Sequence, residues 1–141
     1  MEQTQSISTF LNTSYLEYAQ YVVENRAIPS IIDGFKPTQR KVIAAATKVW
    51  KSGSEKPMKV AALTGRLMAD LHYHHGDSSG SGAIVTMAQK FKNSMPLLDE
   101  IGQFGSLRSP APGAPRYIST KLNKNFKAIY KDFELIERQF E

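Results

Sequence analysis

Apolar positions recur at three- and four-residue steps through Phe10, Leu11, Tyr15, Tyr18, Val22 and Val23, which predicts an amphipathic helix over about Ser8–Asn25. Such a stripe has nothing to pack against within its own helix, so it is expected to meet a core or a partner. Pro29 holds its predecessor extended and ends that helix, and Asp33-Gly34 reads as a turn. A second helix is predicted from Pro37, whose missing N–H costs nothing in a first turn, through Val42, Ile43, Ala46 and Val49 to Trp50. After the turn cluster Lys51-Ser52-Gly53-Ser54, the period returns in Val60, Leu63, Leu67 and Met68, giving a third helix over Met58 to about Leu71. A fourth is expected over roughly Gly82–Lys92, with Asp77, Ser78 or Ser79 as caps, because Gly80 and Gly82 each cost about 1 kcal/mol inside a helix.

Past Asn93 the helical period is lost. Leu97-Leu98, Ile101, Phe104 and Tyr117-Ile118 are short apolar patches separated by glycines, and Pro110, Pro112, Gly113 and Pro115 forbid a helix between them. The pattern predicts a β-hairpin carrying a long exposed loop, Ser106 to Pro115. The stretch Lys121 to Glu141 is charged and weakly periodic. The resulting fold class is mainly α with a small β-hairpin wing, the element order of a winged-helix (CAP-like) DNA-binding domain. In that arrangement the helix after Asp77 reads DNA and the segment Phe104 to Tyr117 forms the wing.

Composition narrows the function. Lys plus Arg exceeds Asp plus Glu by 18 − 13 = +5 over 141 residues, and the absence of cysteine excludes disulfides, zinc–thiolate sites and cysteine nucleophiles. A basic balance favours an anionic partner, with nucleic acid first and an acidic membrane surface second. No apolar run reaches membrane-spanning length, so the expectation is a soluble, intracellular chain without a membrane partner.

Three places could carry chemistry. His72, His74 and His75 lie beside Asp77 in LHYHHGD. They read as a metal site, as a phosphate contact where a helix opens, or as a polar turn. No second cluster of ligand residues supports the metal reading, which would make the chain a histidine-metal hydrolase. Lys36, Arg40 and Lys41 in GFKPTQRK open the second helix and could neutralise phosphates, although a solvated surface is the commoner fate of such a cluster. Arg116-Tyr117 follows the proline-rich loop. A phenol with a pKa of about 10 needs a cation or a base to act as a nucleophile, and an adjacent guanidinium would also stabilise charge on a transferring phosphoryl group. A tyrosine entering a strand is otherwise a packing residue.

Four blocks decide among these readings: IPSIIDGFKPTQRKVI, KVAALTG, YHHGDSSGSGAIVTMAQKF and IGQFGSLRSPAPGAPRYIST. In this order, from Ile28 to Thr120, they resemble the DNA breakage–reunion region of type IIA DNA topoisomerases. The likeness is to the N-terminal, winged-helix part of the gyrase-A-like subunit. GFKPTQRKV, the adjacent His74-His75, and Pro115 before Arg116-Tyr117 look nearest to eukaryotic topoisomerase II and the T-even-like phage enzymes. The resemblance implies a helical arm over 1–26, a winged-helix cleavage domain over 27–120 and the start of a following region over 121–141. Met1 just ahead of the arm fits an enzyme with split subunits, or a fragment of one.

It also implies roles. Tyr117 would attack a DNA phosphate and hold it as a 5′-phosphotyrosine, releasing a 3′-hydroxyl. Arg116 would stabilise the pentavalent state and His75 would polarise the scissile group. Lys36, Arg40, Lys41, His74, Ser78 and Gln89 match positions at the DNA. No metal ligand is expected on this chain: Mg²⁺ would be held by a TOPRIM domain on a partner subunit, and ATP would be used by that partner. The implied partners are double-stranded DNA, a second copy in a homodimer and a TOPRIM/ATPase subunit. The implied location is the cytoplasm, that of the host if the chain is phage-encoded. The alternative is a non-catalytic winged-helix DNA-binding module, which would bind DNA equally well and leave Tyr117 chemically silent.

Overall fold

A computed structural model describes residues 6–50, 56–70 and 76–130. The chain falls into two compact units, Met1–Pro37 and Thr38–Glu141. In the first, α-helical turns α1 (Ile7–Phe10) and α2 (Leu16–Val22) alternate with wider π turns, Leu11–Tyr15 and Val23–Ala27. Ser6 caps α1, its hydroxyl accepting from the Thr9 N–H at 3.1 Å. Ile28 then turns extended, φ −94° and ψ 129°, as a residue before proline must. Gly34 takes φ +72° in a turn closed by its N–H on the Ser30 carbonyl at 2.8 Å, the bend expected at Asp33-Gly34. Of the two covers expected for the apolar stripe, a core or a partner, this unit supplies no core: neither α1, α2 nor the π turn between them holds a buried residue, and Phe10, Tyr15 and Tyr18 stand exposed.

The second unit opens on α3, Pro37–Trp50, with the limits its proline and apolar period predicted. Its Val42, Ile43, Ala46 and Trp50 are buried, and the indole N–H of Trp50 donates to the Lys56 carbonyl at 3.0 Å. Helix α4 (Val60–Asp70) adds Leu63 and Leu67, and α5 (Asp77–Ala88) adds Ile84, Val85, Met87 and Ala88. Two expectations are corrected here. Helix α5 begins at Asp77 rather than near Gly82, so both glycines are helical. Packing of α5 against α4 outweighs a propensity cost of about 1 kcal/mol per glycine. Met58 and Lys59 are also not helical. They form β1, a two-residue strand too short to show a period of its own.

That strand turns the expected hairpin into a three-stranded antiparallel sheet, ordered β1-β3-β2. β3 (Ser119–Leu122) is central. It pairs Met58 with Thr120 on one side, and Leu98 with Leu122 through Ile101 with Ser119 on β2 (Leu98–Ile101). Thr120 is fully buried, and its hydroxyl donates to the Asp99 carbonyl at 2.8 Å. Leu98, Phe104 and Ile118 close the core beneath the sheet. A short helix, α6 (Lys124–Ile129), follows, capped by the Asn123 side chain. Three helices and a small sheet in this order make a winged-helix domain. The loop from Ser106 to Pro115 is free of helix and strand, as predicted.

The glycines in α5 give a direct test of this packing. A Cβ on Gly82 would meet nothing within 4 Å. Gly82→Ala is therefore expected to stabilise the domain by up to about 1 kcal/mol, read as a higher urea midpoint with an unchanged slope. A lower midpoint would mean that the helix does not run through this position.

Candidate functional site

Tyr117 ends a tight turn. Its N–H donates to the Ala114 carbonyl at 2.8 Å, and the Ile118 N–H shares that acceptor at 3.4 Å. Three consecutive residues across from the turn hold its main chain. The Val60 N–H donates to the Ile118 carbonyl at 3.1 Å and the Ala61 N–H to the Pro115 carbonyl at 3.1 Å. The Lys59 ammonium donates to the carbonyl of Tyr117 itself at 2.8 Å. The first N–H groups of a helix have no partners within it, so α4 supplies two of these donors at no cost to its own ladder.

The side chain is free where the backbone is not. Tyr117 is 68% exposed, and the Arg116 guanidinium lies 5.0 Å from its ring centroid, inside cation–π range. A phenol hydroxyl in solvent with a fixed cation beside it suits attack on phosphorus, where negative charge accumulates as the bond forms.

The loop ahead of the turn is folded on itself. Gly113 donates its N–H to the Gln103 carbonyl at 2.9 Å, and the Ser106 N–H donates to that of Ser109 at 2.8 Å. Between this loop and α5 lies a cavity of about 220 Å³, walled by Ser78, Gly82 and Gln89 on the helix and by Pro110, Pro112 and Pro115 on the loop. The helix that would read DNA thus stands beside the segment that carries the tyrosine.

The other predicted residues are placed as follows. Ser78 is exposed in the first turn of α5, its N–H donating to the Asp77 carboxylate at 2.8 Å. Lys41 is exposed on α3, whereas Arg40 is largely covered at 9% exposure. Lys36 is exposed in the first unit. His74 and His75, like His72, lie outside the described residues. Gln89 requires a correction: at 1% exposure it offers no surface to DNA, and its amide donates instead to the Phe104 carbonyl at 2.7 Å. Lys59 was not singled out from sequence beyond its charge. Its contact with Tyr117 joins positions 58 residues apart, and no local pattern announces it. Among the described residues, no group of three or more His, Cys, Asp or Glu is placed to hold a metal ion.

A winged helix thus presents an exposed Arg-Tyr pair near α5. Comparison with known proteins identifies the family. The model of one family, the A subunit of DNA gyrase/topoisomerase IV, matches residues 26–139, and the chain belongs to this family. It is 45% identical over 128 residues to the DNA topoisomerase medium subunit of Enterobacteria phage T4, covering 91% of this chain and 29% of the relative. It is 40% identical over 119 residues to the A subunit of DNA topoisomerase 4 from Neisseria gonorrhoeae, covering 84% of this chain and 15% of the relative. The crystal structure of the Plasmodium falciparum topoisomerase II DNA-binding, cleavage and re-ligation domain superposes with a TM-score of 0.72 at 38% identity, covering 87% of this chain and 17% of that one. The chain thus spans less than a third of the length of these relatives.

The pinned turn makes its own prediction. Lys59→Met removes the donor to the Tyr117 carbonyl and is expected to cost about 1 kcal/mol of stability. A urea titration reads this as a lower midpoint, and an unchanged midpoint would show that the contact holds nothing.

Proposed function

We propose that this chain is the DNA cleavage and religation part of an ATP-dependent type II DNA topoisomerase. The observation that carries the reading is Tyr117, its backbone pinned by Lys59–Ala61 and its ring exposed beside Arg116. The phenol oxygen attacks a backbone phosphorus and forms a tyrosyl–phosphate bond. The bond from phosphorus to the 3′-oxygen breaks, and that oxygen leaves as a 3′-hydroxyl, taking up the proton. One phosphodiester replaces another, so the reverse attack by the 3′-hydroxyl reseals the strand without a nucleotide. Arg116 stabilises the charge on the pentavalent phosphorus. Ser78, Lys36, Arg40 and Lys41 serve the DNA backbone, and His74 and His75 take the roles that the family motif gives them.

Mg²⁺ is held by carboxylates of a TOPRIM domain on a partner subunit, and ATP is used by that partner's ATPase, as the family resemblance implies. One nucleophilic tyrosine per chain breaks one strand, so a double-strand break takes two copies, and the working enzyme contains a homodimer of this subunit on double-stranded DNA. Among the described residues no helix is long and apolar enough to cross a membrane. The proposed place of work is the cytoplasm.

A covalent trap tests the reading. The full subunit, its ATPase/TOPRIM partner, Mg²⁺ and end-labelled DNA are denatured together in SDS. Label is expected on the wild-type protein and none on Tyr117→Phe, with the initial rate of labelling of Arg116→Ala reduced by about 10²–10³-fold. Wild-type protein that binds DNA in a salt-sensitive way yet takes up no label would identify a winged-helix module that binds without cutting.

A further inference from the structure

Gln89 leaves α5 with its main chain already extended, φ −62° and ψ 113°, and its side chain is 1% exposed. Its Nε2 donates to the Phe104 carbonyl at 2.7 Å and reaches the Pro110 carbonyl at 3.4 Å. These carbonyls mark the two feet of a tighter turn, residues 105–109, that opens the loop before the tyrosine. Phe104 follows β2, and Pro110 starts the run Pro-Ala-Pro-Gly-Ala-Pro that leads into Arg116-Tyr117. The feet touch where Gln89 binds them: Gly105 has φ +90°, and a Cβ there would lie 2.6 Å from the Pro110 carbonyl oxygen. The next rung is the Gly113 N–H on the Gln103 carbonyl, at 2.9 Å.

Proline supplies no N–H, so a run with Pro110, Pro112 and Pro115 cannot be zipped to its neighbour by a regular ladder. A side-chain donor takes the place of the missing main-chain one. Gln89 is a costly way to fill the space, because its Oε1 finds no donor among the described residues. An unsatisfied buried acceptor disfavours the amide against an apolar side chain of the same size, so the amide serves geometry rather than stability.

We propose that Gln89 is a positioning residue for phosphoryl transfer at Tyr117, tying both feet of the turn that opens the loop to the end of α5 and so fixing where the Arg116-Tyr117 turn stands beside the recognition helix. This rests on Tyr117 as the nucleophile. Gln89 touches no substrate; it acts through the loop, and displacing a reacting group by about 1 Å costs on the order of 10²-fold in rate.

The test uses the full subunit in complex with its ATPase/TOPRIM partner, as wild type, Gln89→Met and Tyr117→Phe. Trypsin cutting at Arg108, inside the loop, is expected to quicken about ten-fold in folded Gln89→Met, because opening of the loop becomes easier. At saturating DNA the initial rate at which the covalent adduct appears is expected to fall about ten-fold or more while the Kd for DNA stays at the wild-type value. A general loss of fold would lower both together. Gln89→Asn, whose amide stops one methylene short, should fall between, and it carries the same readouts if Gln89→Met does not fold. Unchanged cutting at Arg108, an unchanged initial rate of trapping, or parallel losses of trapping and DNA binding overturn the proposal. If wild type gives a Tyr117-dependent adduct and the Gln89 variants match it, only the positioning role fails. If wild type gives none, the functional reading fails and the positioning role goes with it.

Discussion

Three donors from Lys59, Val60 and Ala61 meet three carbonyls, those of Tyr117, Ile118 and Pro115, and the rest of the site depends on this contact. It joins the start of one helix to a turn nearly sixty residues further along, and it works because helix openings and turns have complementary needs. The helix has amides without acceptors, and the turn has carbonyls without donors. Once they are paired, Ile118 drops into the core, β3 sets off between β1 and β2, and Tyr117 is left on the outside. Fixing the backbone while freeing the phenol limits the conformational search a nucleophile makes before it reacts.

The proline-rich loop poses the opposite problem, since it has too few donors of its own. Two of its carbonyls find them elsewhere, Pro110 on the Gln89 side chain and Ala111 on that of Gln103, while the loop's own Gly113 N–H donates to the Gln103 carbonyl. The loop and the tyrosine turn are therefore held from two sides, by α5 where the loop opens and by the start of α4 at the turn. A helix pair packed against one another thus sets the position of Tyr117, and the small sheet acts as the strap between them.

Much of this was legible in the sequence, and the failures have physical causes. Helix α3 could be read to its last residue because Pro37 marks its start and its apolar period is unbroken to Trp50. The loop was legible because proline density forbids anything else there. Strand β1 was not, since two residues carry no period and their partners lie far along the chain. The start of α5 was misjudged because glycine propensity is a local term, and packing on α4 is larger. Gln89 looked like a surface residue at a helix end, but the carbonyls that bury it come from a loop whose path no local rule gives. The stripe on the N-terminal helix was read correctly as apolar, yet it lies exposed.

The central claim is that one oxygen, on the ring of Tyr117, takes the DNA phosphate. Trypsin cuts after Arg116 and Lys121, so it would release residues 117–121 as a short peptide with Tyr117 at its N-terminus. The direct measurement is mass spectrometry of that peptide after SDS trapping and nuclease digestion of the covalent complex made by the full subunit with its partner. The account predicts a nucleotide joined through its 5′-phosphate to Tyr117, and a free 3′-hydroxyl on the other DNA end. A nucleotide on any other residue, or a linkage through a 3′-phosphate, would contradict it.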